Sequence, residues 1–220
     1  MNFELARYNM IEQQIRPWEV LDSAVLDLLA TVRREDFVPP AYRAMAFADA
    51  QVPLPCGQVM LEPRVDARLL QELQVQRHER VLEIGAGSGF MAALLGHRAQ
   101  HVLSLECHAE LARMASANLR HAGLANVEVR AVTAAQGAQG SPVHGPFDAI
   151  VMSGSVPAVP RGLLEQLKPG GRLLAIVGEE PIMRARLFTH SGNGAFAQTD
   201  LFDTVAPRLE GFATPSRFHF

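Results

Sequence analysis

The sequence predicts an α/β fold: a doubly wound, mostly parallel sheet of the Rossmann-like kind, preceded by a helical extension and followed by an antiparallel hairpin. Three observations carry this. Five short apolar runs recur from residue 80 onward: RVLEIG (80–85), HVLSLE (101–106), NVEVRAV (126–132), FDAIVM (147–152) and GRLLAIV (171–177). Most are apolar at consecutive positions, the mark of strands covered on both faces. Amphipathic helical segments separate them, and strand–helix alternation builds right-handed βαβ units.

The elements follow in order. Residues 3 to 16 read as a helix, with Met10, Ile11 and Ile15 apolar and Glu12, Gln13 and Gln14 polar. Asp22 is placed to cap a second helix carrying Val25, Leu28, Leu29 and Val32 at helical spacing. Pro39 and Pro40 break that pattern. Residues 51 to 63, QVPLPCGQVMLEP, hold three prolines and a glycine and read as a loop, the kind of segment that often holds function. A helix resumes near Arg64 with Val65, Leu69, Leu70 and Leu73 on one side. Within the alternating half the clearest helix spans about 109 to 122, on a stripe of Leu111, Met114, Ala115 and Leu119. After Pro181, residues 183 to 190 and 195 to 202 read as two strands joined by Ser-Gly-Asn-Gly, a hairpin signal. The expected division is therefore an extension over 1–78, including the loop, and a ligand-binding core over 79–220.

Composition sets limits on function. The chain has 220 residues, 48% apolar and 20% charged, the balance of an ordinary globular protein. Lys and Arg number 20 against 23 Asp and Glu, a formal charge of −3. No basic excess exists to neutralise phosphates, so nucleic acid is not the expected partner. The two cysteines, Cys56 and Cys107, cannot build a disulfide framework and read as free thiols in a reducing compartment. The opening MNFELARYNMIEQQIR lacks a signal peptide's apolar run, and no stretch has the length of a membrane helix. The expected location is the cytoplasm, with no membrane contact. The oligomeric state is left open, with a monomer as the simplest reading.

The chemistry concentrates in VLEIGAGSGF, residues 81 to 90. A buried strand ends, and Gly85, Gly87 and Gly89 follow before a helix. Such glycines permit sharp turns and close approach of a ligand, and the helix start offers unpaired N–H groups. A dinucleotide fingerprint would need a small residue at position 90, where Phe90 stands, which argues against a nicotinamide oxidoreductase. A second strand ends in Glu106, 106 − 87 = 19 positions after the middle glycine. A carboxylate there can accept hydrogen bonds from both hydroxyls of a ribose.

VLEIGAGSGF with the strand ending in Glu106 resembles motif I and the following acidic strand of class I S-adenosylmethionine-dependent methyltransferases. MIEQQI (10–15), REDFVP (34–39), the segment 53–58 with Pro63, FDAIV (147–151) and LLEQLKPGGRL (163–173) are similar to protein-L-isoaspartate O-methyltransferases, in order and spacing over roughly residues 8 to 180. The resemblance implies S-adenosylmethionine as cofactor. Glu83, Gly85, Ala86, Gly87 and Gly89 would line its methionine end, and Glu106 would hold its ribose. It implies methyl transfer to a carboxylate of a protein, a peptide or a small-molecule acceptor.

Two departures stand out. The family's substrate loop reads G-Q-T-I-S-x-P, whereas here it is Gly57-Gln58-Val59-Met60-Leu61-Glu62-Pro63, so Leu61 replaces the active-site serine. Leucine has no group to hydrogen-bond a carboxylate, and the apolar run Val59, Met60 and Leu61 either packs under the loop or suits a different small-molecule acceptor. After the third strand the family has G-D-G, its aspartate on the adenine; here Val132-Thr133-Ala134 leaves Thr133 as the acceptor. These losses also fit a catalytically silent relative. Gln58, Leu61, Ser153 and Ser155 are the substrate-side candidates, the two serines because ligands bind beyond the C-terminal ends of such strands. No metal site is expected: His97 and His101 are four apart but have no third ligand at metal-like spacing. Cys56 has no neighbour to activate it. Trp18 and Arg33-Arg34-Glu35 read as surface and packing features.

Overall fold

The computed structural model describes residues 2–141 and 144–213; residue 1 and residues 214–220, at the two ends of the expected division, lie outside them. A seven-stranded sheet runs in the order β5-β4-β3-β6-β7-β8-β9. Its strands are β3 (Arg80–Ile84), β4 (His101–Glu106), β5 (Val127–Ala131), β6 (Phe147–Val156), β7 (Leu167–Glu179), β8 (Ile182–Gly192) and β9 (Ala195–Thr204). The first five pair in parallel, and β7-β8-β9 close the far edge antiparallel. Order reverses beside β3, so a crevice opens past the C-terminal ends of β3 and β4, where ligands bind in such sheets.

All five expected runs are strands. β6 and β7 extend further than their apolar runs, and β6 carries a register shift between Val151 and Ser155. The last turn follows its composition: Asn193 (φ 51°) and Gly194 (φ 71°) form a two-residue connection with both residues left-handed, which asparagine and glycine tolerate. The helices that matter for the site are α3 (Pro63–Leu73), α4 (Phe90–Arg98) and α5 (Ala109–His121). Proline opens α3 at its first position, where its missing N–H costs nothing.

The expected first helix is α1 (Phe3–Met10), which Asn2 caps, continued by a π turn (Ile11–Ile15) and a 3-10 turn (Arg16–Trp18). The Asp22 carboxylate accepts the Ala24 N–H at 2.8 Å and caps α2 (Ser23–Thr31), as its position implies. The segment read as a loop contains a small antiparallel ribbon, β1 (Val52–Pro53) with β2 (Val59–Met60). Cys56 and Gly57 turn it with positive φ. One core cluster joins Met10, Ile15 and Leu29 to Leu69 and Leu94 and to Val81 and Ile176 of the sheet. A second cluster, including Leu82, Leu105, Ile150 and Leu163, fills the opposite face. Alternation along β3 divides these faces: Val81 and Glu83 point one way, Leu82 and Ile84 the other.

The run Arg33-Arg34-Glu35 divides between surface and packing: Arg33 is exposed, while Arg34 and Glu35 are each 1% exposed. Glu35 pairs with Arg7 and Arg33. Trp18 fits its packing role, edge-on to Phe202 at 5.5 Å.

Candidate active site

A cleft enclosing about 790 Å³ of open space lies beyond the strand ends. The glycine loop forms its floor. Gly85, Gly87 and Gly89 have φ of 92°, 52° and 85°, conformations that favour glycine over any L side chain. Each serves a different contact. A Cβ on Gly89 would sit 3.2 Å from Ala115 of α5, so this glycine lets two helices close up behind the loop. A Cβ on Gly85 would meet Leu209 at 2.8 Å. The bare backbone at 85 thus admits a strap from the far end of the chain as well as a ligand. The Asn118 side chain on α5 donates to the Ser88 carbonyl at 2.9 Å and braces the loop from below.

Glu106 sits at the end of β4, 5% exposed, and lines the cleft. One oxygen accepts the Gly87 N–H at 2.9 Å and the other the His108 N–H at 2.9 Å. The carboxylate is held in place by main chain on both sides, with lone pairs left for two hydroxyls. Glu83 lies deeper and is fully buried. Strand register places Ser104 beside it, and Ser153 follows on the next strand. Ser104 and Ser153 donate to its two oxygens at 2.5 and 2.7 Å. Burial outweighs these donors and pushes the carboxyl up to about 8, so Glu83 carries its proton at neutral pH.

Gln58, Val59, Met60, Leu61, Asp66, Phe90 and Met91 form the facing wall. Met60 and Leu61 are both 5% exposed, so they pack under the loop and face the cleft together. Glu62 is not part of that lining; its Oε1 accepts from Gln51. Phe90 is large because it packs edge-on against Phe37 at 5.6 Å, with the Arg34 guanidinium 4.7 Å above its ring.

The roof is a strap that sequence reading passed over. Ser155 holds it to β6: its N–H donates to Pro207, its hydroxyl to Ala206, and its carbonyl accepts from Leu209. Leu209 then lies over Gly85 and Gly154. Glu210 accepts from Gln58 at 3.2 Å and lies 2.9 Å from His108 Nε2. Only the Gly154, Gly211 and Pro207 pattern hinted at this, and no periodicity marks it.

The structure therefore re-sorts the candidates. Glu83, Gly85, Ala86, Gly87, Glu106 and Ser153 line the cleft together, and Gln58 and Leu61 line it from the other side. Gly89 stands just behind, against α5. Ser153 is committed to Glu83. Ser155 does not face an acceptor, being fully buried and spent on the strap. Thr133 does not reach the cleft either: exposed, it caps α6 (Ala134–Gln139), exchanging hydrogen bonds with Gln136. Val132, Ala134 and Gly137 line the cleft there instead. Cys56 is exposed, and slight local desolvation with the neighbouring Glu110 carboxylate holds its thiol above the ordinary value, away from reactivity. His97 ends α4 and His101 opens β4. Glu106, Cys107 and His108 bring ligand-type atoms within 4.8 Å of one another, yet Cys107 is pushed up to about 11 by burial and by Glu106 and Glu210.

A glycine loop at a reversed strand order, with a held carboxylate at the end of the neighbouring strand, defines a Rossmann-like S-adenosylmethionine-dependent methyltransferase. The family model for protein-L-isoaspartate(D-aspartate) O-methyltransferase matches residues 6–206. The chain belongs to that family. It is 38% identical over 201 residues to the protein-L-isoaspartate O-methyltransferase of Koribacter versatilis, covering 91% of this chain and 89% of that one. To the enzyme of Rhodopseudomonas palustris it is 40% identical over 210 residues, 94% and 95% of the two chains. In fold it is similar to a putative Plasmodium falciparum protein-L-isoaspartate O-methyltransferase in complex with S-adenosyl-L-homocysteine: TM-score 0.75, 20% identity, 96% and 99% of the chains covered.

Proposed function

We propose that the protein transfers a methyl group from S-adenosylmethionine to the free carboxylate of an isoaspartyl residue in proteins or peptides. The observation that carries this is Glu106, fixed by Gly87 and His108 at the edge of a cleft floored by bare main chain. The residues fit the cofactor: Glu106 would hold the ribose, and the bare main chain of 85–89 with Leu209 would line the remainder of its site. Glu83, braced by Ser104 and Ser153, would give the methionine portion a hydrogen-bonding end. When bound, S-adenosylmethionine supplies a methyl group already activated by a positive sulfur, so a carboxylate needs no base. The chain's work is then placement and exclusion of water.

The cleft lining contains no lysine or arginine among the described residues. The acceptor's charge is therefore met by the sulfonium, and the wall around Leu61 acts by shape. A main-chain or Gln58 contact, rather than a hydroxyl, orients the acceptor. The two free thiols fit a reducing, cytoplasmic setting. Two measurements test the reading: heat of S-adenosylhomocysteine binding, and transfer of labelled methyl from the cofactor to an isoaspartyl peptide. Micromolar binding and base-labile label on the peptide are expected; binding without label would exclude the isoaspartyl acceptor.

A further inference from the structure

Arg34 is a buried side chain that the proposed chemistry leaves unused, and all but one of its contacts are residues of the acceptor-side wall. Its Nη2 donates to the Leu61 carbonyl at 2.6 Å, its Nη1 to Asp66 at 2.7 Å, and its plane covers the Phe90 ring at 4.7 Å. Leu61, Asp66 and Phe90 all line the cleft, while Arg34 itself does not. Its remaining donor, Nε, goes to the Ala46 carbonyl at 3.0 Å, so the guanidinium is engaged on three sides with a ring against its face. A buried guanidinium offers a fixed planar fork that a lysine ammonium cannot reproduce.

The main chain needs this anchor. β2 is two residues long, and its only sheet partner is the equally short β1. The carbonyl of Leu61 lies just past that ribbon and before α3, where no ladder holds it. We infer that Arg34 is a positioning residue for methyl transfer: by gripping the Leu61 carbonyl and the Asp66 carboxylate, it fixes the acceptor wall at one distance from the cofactor loop. The inference rests on the methyltransferase reading for its kinetic consequence only; the grip itself is a property of the folded chain. It also gives Leu61 a role at a position without a hydroxyl. The wall is set through its backbone, and the side chain supplies shape.

A second arginine serves as a control. Arg172 makes a similar set of contacts at the opposite end of the strands, to the Leu73 and Gln74 carbonyls and to Glu79. It braces the fold far from the cleft. Arg34→Lys and Arg172→Lys are compared in the full-length protein by melting temperature, S-adenosylhomocysteine affinity, acceptor KM and kcat, and amide exchange over residues 59–62.

Both variants are expected to melt lower. Arg34→Lys alone is expected to raise acceptor KM about tenfold or more, to leave cofactor affinity within about threefold, and to speed exchange at 59–62. Parallel losses of cofactor affinity and acceptor kinetics in both variants would make Arg34 a mere brace and overturn the inference. So would unchanged exchange at 59–62 in Arg34→Lys. If the wild-type protein fails to methylate the isoaspartyl peptide, the proposed function falls. Faster exchange confined to 59–62 in Arg34→Lys would still uphold the grip.

Discussion

At the scale of single residues, two side chains decide most. Glu106→Gln keeps the shape but removes the charge that the proposed function assigns to the ribose hydroxyls. The Kd for S-adenosylhomocysteine is expected to rise about 10–100-fold by calorimetry, matching the ~1.5–3 kcal/mol of hydrogen bonds to a charged group. Leu61→Ser places a hydroxyl on the acceptor wall. It is expected to raise kcat/KM toward an isoaspartyl peptide about fivefold, near the ~1 kcal/mol of one added hydrogen bond. An unchanged value would mean that the main chain already orients the acceptor fully. The place of Glu106 in the cleft was legible in the sequence, because an acid closing the strand after a glycine loop falls at the same end of the sheet as that loop. Thr133 and Ser155 were misread because side-chain direction is set by neighbours that no local pattern reveals. Thr133 turns to cap α6, and Ser155 turns into the sheet toward Ala206. Arg34 was read as a surface and packing residue and Asp66 was passed over, because only the fold brings the two together and buries them.

Among the elements, the glycine loop and the strap carry the strongest expectations. Gly89→Ala forces a side chain onto a residue with φ 85° and pushes a Cβ to 3.2 Å from Ala115. The left-handed backbone alone costs about 1–2 kcal/mol, and the crowding against α5 adds to it. The urea midpoint is expected to fall accordingly. Gly211→Ala strikes the strap, because its Cβ would collide with the Ala134 carbonyl at a residue with φ 86°. Displacing the strap uncovers Gly85. The expected outcome is faster dissociation of S-adenosylhomocysteine with little loss of secondary structure, followed by competition kinetics and circular dichroism. The five strands and the hairpin were readable because period and turn chemistry are local. The strap was not. Among the described residues it pairs with β6 only through the isolated bridge between Ser155 and Arg208, and beyond Pro207 and Gly211 nothing in its own residues calls for it.

For the whole molecule, buried carboxyls tie stability to pH. Glu83 is pushed from an ordinary 4.5 up to about 8, and Asp66 from 3.8 up to about 6, both chiefly by burial. The folded protein thus keeps protons that the unfolded chain releases above roughly pH 4–4.5. Their contribution to stability is complete below that range and is lost as pH rises through about 6 for Asp66 and about 8 for Glu83. Melting temperature is expected to fall between about pH 4 and pH 8 (the window these shifts span), and Glu83→Gln is expected to flatten the upper part of that fall. The overall architecture was legible because strand–helix alternation leaves few topologies open. How the extension seals one face was not, since it rests on contacts across the chain. One of those contacts has a kinetic corollary. Gln58 touches His108 and Glu210, partners 50 and 152 positions away in the chain. Loop closures of that span come late on the route from a denatured ensemble. After dilution from denaturant, ellipticity should recover first and the capacity to quench or take up nucleoside only afterwards, so that the chain passes through a well-ordered but cofactor-blind stage.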